Sequence, residues 1–331
     1  MPLRRRATGV AALLLLISSA ACGSPGGGKA GSTTSFPVPR PTTTTTEPEG
    51  LPGSGYDQPV ELGLLQDPDL TESSGLIASR RNPGLYWTHN DSGDGPFIYC
   101  LQGHGESCGT WQVTGATNRD WEDISIGPGP VPSTPYLYIG DIGNNLSDQP
   151  SFSIYRVPEP AAVAGSRGPS KSAPGATEPA QAFRFRYPDG PHDAEALIVH
   201  PVTGDVYIVS KAPDPGVYVA RAPLDPSSIT TLRKLTTLPL GENGMFSLVT
   251  GGAVSPDATK VALCTYAGGY EYRLPAGANF DDWWKLKPVQ ISLALRPQGE
   301  SITYRLDGKA LLTTSERPLG IPAALDQVEQ R

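Results

Sequence analysis

Three short motifs set a glutamate just ahead of an apolar run: DWEDI (120–124), DAEAL (193–197) and QGESI (298–302), carrying Glu122, Glu195 and Glu300. Two more end an apolar run on oxygen donors. HNDSGD (89–94) supplies Asn90 and Asp91, and YIGDIGNN (138–145) supplies Asp141, Asn144 and Asn145. Lys211 and Glu316 close two other apolar runs in the same way. Carboxylates and amide oxygens brought together repel one another unless some acids keep a proton or a cation binds. Oxygen donors without cysteine, and with little histidine, suit Ca²⁺ or Mg²⁺ better than zinc. Lys211 can offset part of such a charge with no metal at all. The chain has no G-x-S-x-G elbow, no H-E-x-x-H and only 4 histidines, so serine-hydrolase and zincin chemistries are unsupported. His192, just before DAEAL, is the histidine placed to reach these motifs, and reads more simply as a hydrogen-bonded loop residue. Trp121 and Tyr266 offer faces for a sugar ring, though a tryptophan beside such an acid more often packs between elements.

The elements that must position these residues form a repeat. An apolar strand, a polar turn and a second apolar strand recur five times, at 76–91, 124–141, 197–211, 253–266 and 302–316. Behind each of the first four copies come two further short runs, such as PFIYCLQ and GTWQV after the first. Four strands per repeat, at a period of about 50 residues, is the pattern of an all-β β-propeller. Five blades are expected, with six as the alternative. A β-sandwich does not account for five similar hairpins. The fifth copy runs short of strands, and the N-terminal run PVELGLL (59–65) is expected to complete its sheet and close the ring, which removes exposed edges. The gap between the second and third copies holds a Pro/Gly-rich stretch near 159–179, expected to be a disordered surface insertion. The pair Trp283–Trp284 reads as a loop anchor or as an outer apolar patch.

In a propeller the innermost strand of each blade lines a central channel and the second strand runs back. The start of the first and the end of the second therefore share one face. This brings Glu122, Glu195, Glu300, Asn90, Asp91, Asp141, Asn144, Lys211 and Glu316 to one mouth. Channel-facing acids also accept backbone N–H groups from neighbouring blades, a use that needs no ion.

The set SGL (74–76), HNDSGD, DWEDI, YIGDIGNN, DAEAL, TGGAVSPD (250–257) and QGESI resembles secreted actinobacterial β-propeller proteins of unassigned activity. More distantly it is similar to phytase-like propellers, whose channels hold calcium through acidic side chains. The resemblance implies Ca²⁺ as the cofactor, with Glu122, Glu195 and Glu300 as ligands supported by Asp91 and Asp141. The chain lacks the lysine and arginine cluster with which a phytase meets phosphate.

Arg4 to Arg6 followed by the apolar run 9–17 has the layout of an export signal, and the run is too short to span a bilayer. SSAAC, ending on Cys22, resembles a bacterial lipobox, with Ser19 where a leucine is usual. The expected organisation is a signal peptide (1–21), a lipidated (palmitate-bearing) Cys22 opening a disordered Gly/Ser/Thr/Pro tether (22–58), and a propeller (59–331). A plain secreted form is the alternative. GSPGGGKA (23–30) mimics a phosphate loop but has Ala30 in place of Ser/Thr and no flanking strand and helix. Removing residues 1–21 takes three of the 26 basic side chains and none of the 33 acidic ones, moving the net charge from −7 to −10. An acidic surface argues against nucleic acid. Cys100 and Cys108 flank a hairpin loop and suit a disulfide outside the cytoplasm. Cys264 reads as a buried thiol. The function expected is a lipid-anchored monomer on the extracytoplasmic face of the membrane, binding a protein or carbohydrate through a calcium-holding mouth. The alternative is a hydrolase (phosphoesterase, lactonase or glycosidase) using the same acids.

Overall fold

A computed structural model describes residues 53–240, 247–317 and 320–331. The signal peptide, Cys22 and the tether up to residue 52 lie outside the described residues. The rest is all-β, in five sheets. Blade one is Ser73–Ala78, Tyr86–Asn90, Phe97–Leu101 and Ser107–Gln112. Blade two is Asp123–Pro128, Pro135–Asp141, Phe152–Pro158 and Gln181–Arg186. Blade three is Ala194–Val199, Val206–Ser210, Gly216–Ala220 and Arg233–Thr237, and blade four is Val249–Val254, Lys260–Thr265, Gly268–Arg273 and Val289–Ile291. Blade five takes Thr303–Tyr304, Ala310–Thr313 and Ala324–Glu329 from the C-terminus and its outermost strand, Val60–Leu64, from the N-terminus. The first strand of each blade packs on the first strand of the next, and that of blade five on that of blade one. The propeller has five blades, closed by the N-terminal strand.

Burial falls from the channel outward. The inner strands Ala194–Val199 and Val206–Ser210 are buried at every position, which is why they read as continuous apolar runs. The outer strand Gln181–Arg186 buries only Phe183 and Phe185. Apolar side chains gather between blades in five clusters, one for each adjacent pair. Trp283 is one such wedge, fully buried edge-on to Tyr272, so it anchors the short 3-10 segment Phe280–Lys285 on blade four.

Two boundaries differ from the sequence reading. The folded unit begins before residue 59. Ser54 and Tyr56 are buried, and Tyr56 donates to Glu271 at 2.5 Å, which Tyr304 also reaches at 2.8 Å and Arg273 pairs with. A Gly/Pro context hid one aromatic that fills the gap between blades four and five. The insertion at 159–179 is not disordered either. It crosses to blade one, where Gly175–Ala176 adds a parallel strand beside Trp111–Gln112. Glu159 is buried and accepts from the Trp87 indole at 2.8 Å and from the Arg81 amide at 2.9 Å. The stretch is too polar to fold alone, but its backbone groups find partners on a neighbour: Pro169 O accepts from Thr110 N, and Thr177 N donates to Gln112 O. Beneath it Cys100 and Cys108 are joined in a disulfide.

Tyr56→Phe leaves the ring in place but removes a donor from the buried Glu271. It is expected to lower unfolding free energy by about 1–3 kcal/mol, measured in urea. An unchanged midpoint would mean that the N-terminal latch holds by apolar contact alone.

Candidate functional site

Where the inner strands reach the mouth, three blades carry an extra residue. The first hairpin shifts register at Ser74 in blade one, Glu195 in blade three and Thr250 in blade four. A bulge re-aims the side chain of its extra residue. In two blades that side chain ties down the next blade: Ser74 Oγ donates to Glu122 O at 2.9 Å and Thr250 Oγ1 to Gly299 O at 3.0 Å. Blade three has Glu195 instead. One of its oxygens pairs with the Lys211 ammonium, and the other, Oε2, is buried without a hydrogen-bond partner. Burial pushes the Glu195 carboxyl up, and Lys211 reverses only part of that.

Beside it, Asp91, Asp120 and Glu122 offer carboxylate oxygens that all lie within 4.8 Å of one another. Glu122 is buried, the two aspartates half-buried. Burial raises Glu122 well above the carboxylate range, and Glu195, Asp91, Asp120 and Glu300 push it the same way. Burial, then Asp120, carry Asp91 up to about 7. The group leans on Gly143 from YIGDIGNN. A Cβ there would collide with Glu122 Oε1 and Asp120 Oδ2, so the glycine leaves room that the acids occupy. Asp141 accepts from Asp120 N at 2.8 Å and lies 3.8 Å from Arg119 Nε, so it positions Asp120.

The remaining acids of the mouth are raised as well. Burial raises both Glu300 and Glu316, and the nearby Glu195 pushes Glu300 up further. The Tyr266 hydroxyl reaches Glu300 Oε1 at 3.4 Å, and the Lys211 ammonium lies 5.5 Å from the centre of its ring. Burial works against the Lys211 ammonium, but Glu195 and Tyr266 more than reverse it. Tyr266 is thus held by its hydroxyl within the polar array.

Other residues singled out in the sequence serve the frame. Trp121 is fully buried, donates to Thr117 O and meets His89 edge-on, so it packs between blades and presents no face for a sugar. His192 contacts Asp189, Tyr218 and Tyr187, none of which belongs to the acidic group. Asn90 accepts from Thr71 N and Glu72 N and donates to Asp69 O, which fixes the strand end that precedes Asp91. Asn144 caps its own loop through Asp148 N, Gln149 N and Gln149 O.

Two acids of the DWED motif escaped the sequence reading. Asp120 completes the triad, yet it stands two residues before Glu122 in a loop, outside the strand pattern used to find the mouth. Asp123 is fully buried and accepts from Ile124 N and Leu197 N at 2.8 Å and Gly252 N at 3.3 Å, so one carboxylate pins blades two, three and four. It is the backbone-accepting acid that propeller geometry leads one to expect, at Asp123 and not at Glu122.

No family model matches the sequence, and no curated protein matches it. Among solved structures, the crystal structure of the RRP9 WD40 repeats is similar over 78% of this chain and 80% of that one, at 13% identity and a TM-score of 0.40. The five-bladed architecture rests on the sheets themselves.

The charge balance predicts a pH dependence. A carboxyl raised in the folded state binds its proton more tightly there than in the unfolded chain. Its stabilisation is complete below the unfolded value of about 4 and is lost as pH rises, for Asp91 through about 7. Asp120, Glu122, Glu195 and Glu300 shift in the same direction. In EDTA the melting temperature is expected to fall from about pH 5 to about pH 8, and Glu122→Gln should flatten the slope. A melting temperature that rises over that range would refute the crowding of these acids.

Proposed function

We propose that the mouth binds a hard divalent cation, Ca²⁺ foremost, and that the chain is a binding propeller presenting this site to a protein or carbohydrate on the outer face of a cell membrane. The observation that carries the reading is the Asp91–Asp120–Glu122 group set against Gly143, with the unpartnered Glu195 Oε2 among its neighbours. Calcium–oxygen bonds of about 2.3–2.6 Å allow ligands of one ion to stand up to about 5 Å apart, and calcium tolerates irregular geometry. The triad meets both conditions. A cation there would neutralise acids that otherwise keep protons, and these residues would be its holders, with Asp141 fixing Asp120. Export and lipid anchoring are supported by the basic-then-apolar N-terminus and Cys22, and the Cys100–Cys108 bond suits an oxidising compartment.

One observation favours a second reading, a hydrolase. Burial raises Glu195 and Glu300, beside Lys211 and Tyr266, toward the protonated state that a general acid needs.

Metal analysis of the purified protein, followed by calorimetric titration of the EDTA-stripped form with CaCl₂, tests the first reading. One bound ion is expected, and its binding should raise the melting temperature. Glu122→Gln, Asp120→Asn and Gly143→Ala should each weaken it by at least about tenfold. Gly143→Ala should stay folded, since the atoms nearest its Cβ belong to the carboxyl groups of Glu122 and Asp120 rather than to backbone. Neither metal nor heat of binding in the wild type would sink the proposal and turn attention to the hydrolase.

A further inference from the structure

We infer that the insertion 159–179 braces the mouth: Lys171 grips Asp94 and thereby holds the turn that carries Asp91. Its consequence for cation affinity rests on the reading of the mouth given above, whereas its consequence for order does not.

The insertion leaves blade two after Pro158 and returns to it at Gln181, yet its contacts lie on blade one. Gly165 N donates to the Gln102 side chain at 2.8 Å, and Pro169 O accepts from Thr110 N at 2.8 Å. Gly168 crosses the backbone of Cys108 so closely that a side chain has no room. Ser170 and Ala173 then form a tight bridge, with Lys171 in the turn between them. A path this firmly tethered has one evident output, the Lys171 ammonium, which pairs with Asp94 and sits 5.6 Å from the centre of the Phe97 ring.

Asp94 is a junction. Its side chain is only 8% exposed. Oδ1 meets Lys171, while Oδ2 accepts from the Tyr99 hydroxyl at 2.7 Å and from Asn90 Nδ2 at 2.9 Å. Asn90 in turn holds Thr71 N and Glu72 N, and Asp91 N donates to Glu72 O at 3.0 Å. Asn118 closes the turn from the other side by donating to Asp91 O at 2.7 Å. Asp91 is therefore fixed through its backbone, and its carboxylate, which accepts from Ser92 N at 2.5 Å through Oδ1, faces Asp120 and Glu122. The cation in this network comes from Lys171. Without it a nearly buried carboxylate keeps only neutral donors and is driven toward water, which pulls the 90–95 turn open. Lys171 touches none of the three acids, so it is a positioning residue.

The test uses the purified full chain, with Lys171→Met as the near-isosteric variant and Lys171→Arg as the conservative one. Amide hydrogen exchange in EDTA reads the order of the turn, and calorimetric titration with CaCl₂ reads the site. Lys171→Met is expected to speed exchange at residues 91–95, to leave the inner strand 194–199 unchanged, and to weaken Ca²⁺ by about ten- to a hundredfold. Lys171→Arg should recover most of both. Unchanged exchange in Lys171→Met overturns the brace. Faster exchange with wild-type Ca²⁺ affinity overturns its positioning role. If the wild type itself binds no Ca²⁺, the cation reading fails, and exchange alone decides the brace by the same criterion.

Discussion

Five sheets close into a ring only if their innermost strands come very close together at the axis, and this crowding governs the rest of the molecule. Its marks are steric. A Cβ at Gly75 would lie 2.6 Å from Ile124 N of the next blade, and one at Gly252 would lie 3.0 Å from the Ala196 side chain. Strands this near leave backbone amides that only a side chain can reach. Asp123 takes three of them, from blades two, three and four. Burial raises its carboxyl well above the usual range, and the three amides pull it back only in part, so a polar group this deep is tolerable because donors surround it.

The same convergence creates a problem at the mouth, where strand ends from all five blades enter one small volume. The acids there are relieved in different ways. Glu195 has Lys211, and burial raises Glu300 and Glu316 so that they ionise less readily. Asp141 accepts a backbone amide beside Arg119. Asp91, Asp120 and Glu122 have mainly one another. Burying an unpaired carboxylate costs several kcal/mol, so such a group takes up protons or a counter-ion. Burial, together with their mutual repulsion, raises the carboxyls of these three acids and costs the mouth stability once they ionise.

Much of this was legible in the sequence because propellers repeat. The hairpins at 76–91 through 302–316 gave the blade count, and the run 59–65 gave the closure, since an apolar strand far from any partner in sequence must find one in space. The placing of Glu122, Glu195 and Glu300 at one mouth followed from strand direction alone. What stayed hidden depends on contacts that composition does not carry. Residues 159–179 look like a spacer until Thr114, Gln102 and Trp111 are seen to supply their partners. Tyr56 looks like part of a tether until Glu271 is seen beneath it. His192 adjoins DAEAL in sequence, but its ring turns to Asp189 and Tyr218. Strand register predicts which end of a blade a residue occupies, not which way a loop side chain turns.

The repeat also separates acids that build the ring from acids that use it. At the bulge of each inner strand the geometry is nearly the same in blades one, three and four, so any difference there is a difference of side chain. Serine and threonine at that place bind the next blade and leave nothing unsatisfied. Glutamate in blade three keeps a buried oxygen with no partner, in a chain that supplies a cheaper residue at the same position twice. Asp123 differs from Glu122 in the same sense. It is surrounded by amide donors, and its neighbour by other carboxylates. An acid whose oxygens meet amides holds the blades together. Asp91, Asp120 and Glu122 crowd one another instead, and they do so at one mouth of the ring.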